Sequence, residues 1–182
     1  MSASTTQIPG YITGTWAVDA IHSDVAYSLK HLGLAKTRGS FTSFTGEIVT
    51  AENILDSAVS IEIDASSVAS GFGPRDEHIK SGDFFDVANH PTIVFKSTGI
   101  RENDGDYLID GQLTWREKTV PVTLEAEFAG IGPNPSNDNV DTIGVSAVAT
   151  INRRDFGIGT EGNGFLSEKA KIVIEIQAAR QS

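Results

Sequence analysis

Apolar residues in this chain recur at every second position, segment after segment. That period belongs to strands with one buried and one wet face, the pattern of antiparallel sheets. Val25, Tyr27 and Leu29 alternate with Ala26, Ser28 and Lys30, and Val59, Ile61 and Ile63 with Ser60, Glu62 and Asp64. Tyr107, Ile109, Leu113 and Trp115 alternate with Asp110, Gln112 and Thr114. Val120, Val122, Leu124, Ala126 and Phe128 continue the pattern, as do Ile143, Val145, Ala147, Ala149 and Ile151, then Ile172, Ile174 and Ile176. Shorter candidates are 15–19, 38–50 and 92–97. In 38–50, Phe41 and Phe44 stand three apart and face opposite sides of a regular strand unless a bulge intervenes.

Three segments depart from alternation. Residues 1–14 are small and polar and read as a flexible N-terminal arm. Residues 74–86 begin with Pro74 followed by acidic side chains, which predicts a short helix ending before Asp83. Residues 130–141 (GIGPNPSNDNVD) are turn chemistry and read as a long mobile loop. The 182 residues show no repeat and no second composition, so 15–182 is one all-β domain with one or two short helices. About eight or nine antiparallel strands suit a sandwich or a barrel, and periodicity does not choose between them.

Composition narrows the chemistry. There is no cysteine, which excludes disulfides, thiolate-held metals and thiol catalysis. Lys and Arg number 14 against 24 Asp and Glu, a net charge of −10 that suits neither nucleic acid nor an anionic membrane surface. The longest apolar runs, such as Ile172-Val173-Ile174, are far short of the roughly 20 residues of a spanning helix. No Lys or Arg precedes Lys30 and no apolar stretch opens the chain, so a secretory signal is not visible and a cytoplasmic location is expected, or a periplasmic or secreted one if a leader has been removed. Gly157-Ile158-Gly159-Thr160-Glu161-Gly162 spells a dinucleotide fingerprint, but the following segment is the last strand rather than a helix, and a glycine-rich loop is the better reading. Four scattered histidines lack metal-ligand spacing, and no G-x-S-x-G elbow is present. Neither catalytic residues nor a metal nor a cofactor is expected.

A series of short motifs carries a family resemblance. They are Trp16-Ala17-Val18-Asp19, Ile21-His22-Ser23, Leu29-Lys30-His31-Leu32, Arg38-Gly39-Ser40-Phe41 and Phe44-Thr45-Gly46. Then come Ile63-Asp64-Ala65-Ser66-Ser67-Val68, Arg75-Asp76-Glu77-His78, Asp83-Phe84-Phe85-Asp86-Val87, His90-Pro91, Gly111-Gln112-Leu113-Thr114 and Ile151-Asn152-Arg153-Arg154-Asp155-Phe156-Gly157. Together, over about residues 14–178, they resemble the YceI-like family of polyisoprenoid- or lipid-binding proteins. Two positions depart from it: Glu117 where the family often has glycine in a tight turn, and Ser70 where threonine is common.

The resemblance implies a lipocalin-like, eight-stranded antiparallel barrel enclosing an apolar tunnel for an isoprenoid lipid, an isoprenoid quinone being one form of it. The function implied is binding, storage or transport without catalysis, the alternative being an enzyme or stress-related regulatory module at the polar mouth. On such a barrel the inward rows make the wall: Val25, Tyr27 and Leu29, Phe41 and Phe44, Val59 and Ile61, Ile109, Leu113 and Trp115, Val122, Leu124 and Ala147. The aromatics Phe84, Phe85, Phe95 and Phe156 join them. His22, His31, Arg75, His78 and Arg153 are the candidates for a polar mouth that orients a head group. Pairing into a homodimer through exposed aromatic rims is compatible with the sequence and not demanded by it.

Overall fold

The computed structural model describes residues 8–159 and 165–182. Eleven strands form one sheet that closes on itself. They are β1 (Gly14–Val18), β2 (Asp24–His31), β3 (Ala35–Phe41), β4 (Phe44–Thr50), β5 (Ala58–Asp64), β6 (Val68–Ala69), β7 (Thr92–Asn103), β8 (Asp106–Trp115), β9 (Lys118–Asn134), β10 (Val140–Asn152) and β11 (Lys169–Arg180). One helix, α1 (Gly73–Lys80), lies between β6 and β7.

The eleven strands make eight staves, because three staves each consist of two collinear strands. β1 and β2 both pair with β11, β3 and β4 pair with β2 and β1, and β5 and β6 pair with β4 and β3. β7 to β11 supply five unbroken staves, and the β1–β11 ladder closes an antiparallel eight-stranded barrel. Closure leaves few unpaired edges, which a flat sheet of this size would expose.

The breaks decide which side chains turn inward. Between β3 and β4 the chain kinks at Thr42 and Ser43, where Thr42 N–H donates to the Ser67 carbonyl. Phe41 and Phe44 therefore both reach the core, at 5% and 6% exposure, although they stand three apart. The next stave breaks at a 3-10 turn (Ala65–Ser67) capped by the Asp64 carboxylate, which accepts from Ser66 N–H.

Helix α1 starts where Pro74 and Asp76 predict, with His78 and Lys80 in its last turn. It buries no residue fully and has no apolar stripe, so packing contributes little to it. Its tether is Asp76, whose carboxylate accepts from Ser70 N–H at 2.8 Å and from the Ser70 hydroxyl. No helix among the described residues is long and apolar enough to cross a membrane.

The segment 130–141 corrects the sequence reading of a long loop. β9 runs on to Asn134 and β10 begins at Val140, with Ile131 opposite Ile143. Only 135–139 turns, through Asp138 and Asn139 at φ 48° and 58°, residue types that tolerate the left-handed region. This ribbon is partly solvated, so its strands lack the apolar alternation that marks the others.

The barrel has two unlike ends. At the base, Trp16, Ile143 and Ala178 are fully buried and Tyr107 meets Phe128 edge-on at 5.4 Å. Residues 8–13, read from sequence as part of a loose arm, lie across this end. Ile8 is buried, Ile131 N–H donates to the Pro9 carbonyl, and the Tyr11 hydroxyl donates to the Ala51 carbonyl at 2.6 Å. The other end, where β2, β8 and β10 finish and β3, β9 and β11 begin, is not filled by the described residues.

Candidate ligand-binding site

That unfilled end holds a cavity of about 730 Å³. Small-molecule sites commonly measure about 300–1,000 Å³. Its wall is apolar and comes from alternate strand positions: Tyr27 and Leu29 on β2, Trp115 on β8, Ile151 on β10, Ala170 and Ile172 on β11. Ile79 of α1 and the turn residues Phe84 and Phe85 form a second side, and Ile158, Phe165 and Leu166 a third. Phe41 and Phe156 stand one layer behind, Phe41 stacked on Phe85 at 6.0 Å and Phe156 against Trp115 at 6.0 Å.

The width of this end follows from local backbone rules. Tyr27 lies opposite Gly39 in the β2–β3 ladder, and its ring occupies the space where any Cβ at that position would stand. Glycine at 39 thus lets the ring lie along the wall. Burial pushes the Tyr27 phenol up to about 12, the Asp76 charge adds to this and Arg75 opposes it. Among the described residues its hydroxyl has no hydrogen-bond partner.

Arg153 is the most constrained polar group in the site. β10 ends at Asn152, whose side chain accepts from Arg154 N–H and caps the 3-10 turn Arg153–Phe156. Phe156, 1% exposed, anchors the turn, and Gly157 ends it in the left-handed region at φ 68°. Arg153 is thereby only 5% exposed. Its Nε donates to the Ser167 carbonyl at 2.9 Å, Nη1 to Ile158 at 2.8 Å and Nη2 to Leu166 at 3.2 Å. Burial, and then the neighbouring Arg154, hold its pKa below the ordinary arginine value, with Glu168 opposing. A guanidinium nevertheless stays charged in proteins.

Other polar groups ring the opening. Arg75 donates to the Ser70 hydroxyl at 2.8 Å and the Ser70 carbonyl at 3.0 Å, with its guanidinium 5.9 Å from the Phe72 ring centre. His78 meets Asp83 at 3.1 Å and stands edge-on to Phe84. His31, at the end of β2, bridges to Leu166, and Lys36 and Arg38 of β3 line the rim.

Of the wall residues read from the sequence, Tyr27, Leu29, Phe84, Phe85 and Trp115 line the cavity. Val25, Phe44, Ile61, Phe95, Ile109, Leu124 and Ala147 are buried in the filled part of the core, and Val59, Leu113 and Val122 pack against it. Of the polar candidates, His31, Arg75, His78 and Arg153 come together at the mouth. His22 instead sits on the outer surface in the break between β1 and β2, with Nδ1 2.7 Å from Asp19. Ile151 and Ile172 belong to rows the alternation marks. Ile79, Ile158, Phe165 and Leu166 stand on a helix or on turns, where no periodicity points inward. The fingerprint-like stretch 157–162 lies partly outside the described residues. Among the described residues no group of three or more His, Asp or Glu side chains could hold a metal ion.

Comparison with known proteins agrees with this geometry. A UPF0312 protein of Pectobacterium carotovorum is 34% identical over 161 residues, covering 88% of this chain and 82% of its own. A UPF0312 protein of Pseudomonas aeruginosa is 32% identical over 161 residues, 88% and 83% of the two chains. Among solved structures, BcnA of Burkholderia cenocepacia superposes with a TM-score of 0.77 at 22% identity, covering 88% of this chain and 98% of that one. A polyisoprenoid-binding domain of Saccharophagus degradans, implicated in plant cell wall breakdown, gives 0.64 at 13% identity, covering 93% and 100%. The YceI-like domain matches residues 16–178, nearly the whole barrel, and the chain belongs to that family.

Proposed function

We propose that this protein binds a lipid with a long apolar, isoprenoid tail inside its barrel, and stores or carries it without chemical change. The observation that carries this reading is the open 730 Å³ cavity with an aliphatic and aromatic wall. An apolar wall that faces water in an open cavity of that size is a cost to a folded protein, since apolar surface is otherwise buried. A tail that enters it removes apolar surface from water at roughly 0.8 kcal/mol per methylene-sized group, before the cost of immobilising the tail. The Saccharophagus domain, described as polyisoprenoid-binding, supports the choice of tail.

Titration with prenyl alcohols of increasing length tests this directly. Affinity should rise with each isoprene unit until the wall is covered, then level off. Ala170 lines the cavity, so Ala170→Phe should move the plateau to a shorter tail. Saturable binding by none of the alcohols, together with no lipid in an organic extract of the purified protein, would end the proposal.

A further inference from the structure

We propose that the ligand's head group is anionic, a carboxylate or phosphate, received at the mouth by Arg153 with Arg75, His78 and His31 around it. The inference rests on the lipid-binding reading and names the chemistry of the same site's polar end.

The charge distribution is the first ground. The protein as a whole carries −10, yet among the described residues no Asp or Glu lines the cavity, while six basic or imidazole side chains do: His31, Lys36, Arg38, Arg75, His78 and Arg153. Asp76 and Asp83 stand behind Ser70 and His78 rather than on the lining, so the cavity wall of an acidic protein carries the opposite formal charge, and a low-dielectric cleft strengthens such a field.

Arg153 is the second ground. A buried charge is normally paired, because an unpaired one is expensive to desolvate. Among the described residues Arg153 forms no ion pair. Its three bonds go to the neutral carbonyls of Ser167, Ile158 and Leu166. A guanidinium has five N–H donors, so two remain. The backbone is shaped to hold it: at Gly159, φ 91°, a Cβ would collide with Nη1. Carbonyl bonds fix the orientation of the fork, and among the described residues no carboxylate bonds to it beside the open cavity. A carboxylate or phosphate accepts from such a fork in charge-assisted bonds, which a hydroxyl head matches poorly.

The other groups are compatible with a secondary role. Arg75 has carbonyl and hydroxyl partners at Ser70, and Asp76, next in the chain, is engaged by that same serine. His78 is shared with Asp83, the one direct carboxylate contact of the four mouth groups among the described residues.

Tail-matched ligands test the head group alone. Farnesol, farnesoic acid and farnesyl phosphate are titrated against the full-length protein at low and high salt, with inorganic phosphate as the head without a tail. The acid and the phosphate should bind about tenfold more tightly than the alcohol at low salt, equivalent to about 1.4 kcal/mol. The preference should shrink as salt rises. Arg153→Gln should bring the ratio of anionic to neutral affinity near one, and Arg153→Lys, which keeps the charge, should retain part of it. Because Arg153 also bonds Ile158, Leu166 and Ser167, Arg75→Gln is the second variant, with a smaller fall in the ratio. A ratio near one in the unaltered protein, with farnesol still binding, would overturn the anionic head and leave lipid binding standing. Binding of none of the three would overturn both. Inorganic phosphate binding as tightly as farnesyl phosphate would replace the lipid head by a free-anion site and overturn the proposal as stated.

Discussion

The chain's two tryptophans mark two halves of one barrel that follow different rules. Trp16, at the base, is fully buried and its Nε1 donates to the Thr50 hydroxyl at 2.9 Å. Trp115, at the mouth, is 6% exposed, and its Nε1 finds no acceptor among the described residues. The base packs Trp16, Tyr107, Phe128 and Ile143 into one buried cluster. The mouth keeps a 730 Å³ space and a buried arginine whose hydrogen bonds among the described residues all go to carbonyls. Four of the six large apolar side chains that stand exposed among the described residues, Leu32, Leu34, Phe72 and Phe165, also belong to this end. Local departures from good packing gather at functional sites because the remainder of the fold can sustain them. Here one half supplies the stability and the other half keeps the opening.

The largest expected effect follows from the tryptophans. Trp16→Ala should cost about 3–5 kcal/mol, since a large side chain leaves a closed space that cannot collapse. Trp115→Ala should cost about 1–2 kcal/mol less, because its loss enlarges a space already open and removes an unsatisfied donor. Denaturant unfolding with unchanged m-values measures both. Equal costs would mean that the two halves are equally well packed, and the comparison would fail.

A smaller effect of opposite sign is expected at the β8–β9 hairpin. Its two-residue turn requires positive φ at Arg116 and Glu117, a geometry that favours glycine or asparagine. Arg116 has a compensation, since its Nη1 donates to the Phe84 carbonyl at 2.9 Å and to the Gly157 carbonyl, tying the mouth loops together. The Glu117 side chain is exposed, with only a long 4.0 Å approach to His90. Glu117→Gly should therefore stabilise the protein by about 0.5–1 kcal/mol, the relief of a left-handed residue less the extra freedom of the unfolded chain. A rise in unfolding midpoint checks it, and a fall would show that the His90 contact outweighs the backbone term.

The division between halves also explains what could be read in the residues alone. Alternation in β5, β8, β9, β10 and β11 marks which side chains face inward, and motifs such as Arg75-Asp76-Glu77-His78 and Ile151-Asn152-Arg153 bring the family and most of the mouth into view. Alternation cannot say at what height along a barrel the inside is filled. Ile61, Ile109, Leu124 and Ala147 share the inward face with Tyr27 and Leu29, yet they end in packed core. Nor does a period-two pattern register the stave breaks. Phe41 and Phe44 turn to the same side only because Thr42 and Ser43 kink the chain onto Ser67. Turn residues such as Ile158 and Phe165 line the cavity without belonging to any periodic row.

The smallest effect is absent at neutral pH and concerns the two buried-phenol environments. Tyr107, at the base, and Tyr27, at the mouth, are both raised above the ordinary tyrosine value, first by burial, Tyr27 to about 12. A raised folded-state pKa leaves stability unaltered below the unfolded value near 10 and diminishes it as pH climbs from there to about 12, because only the unfolded chain then releases the proton. The unaltered protein should accordingly match Tyr27→Phe in stability at pH 7 and lose ground to it only above about pH 10. At pH 11 an unperturbed phenol is roughly 90% ionised, so the ultraviolet difference between the unaltered protein and Tyr27→Phe should show little phenolate. Arg75 opposes the upward shift, and Arg75→Gln should therefore raise the Tyr27 value further. A prenyl tail lying against the ring should do the same by excluding water, an effect that cannot occur at Tyr107 in the filled half. Phenolate absorbance from Tyr27 at full strength at pH 11 would mean that the mouth is as wet as bulk solvent. The contrast between a dry apolar opening and a packed base would then reduce to packing alone.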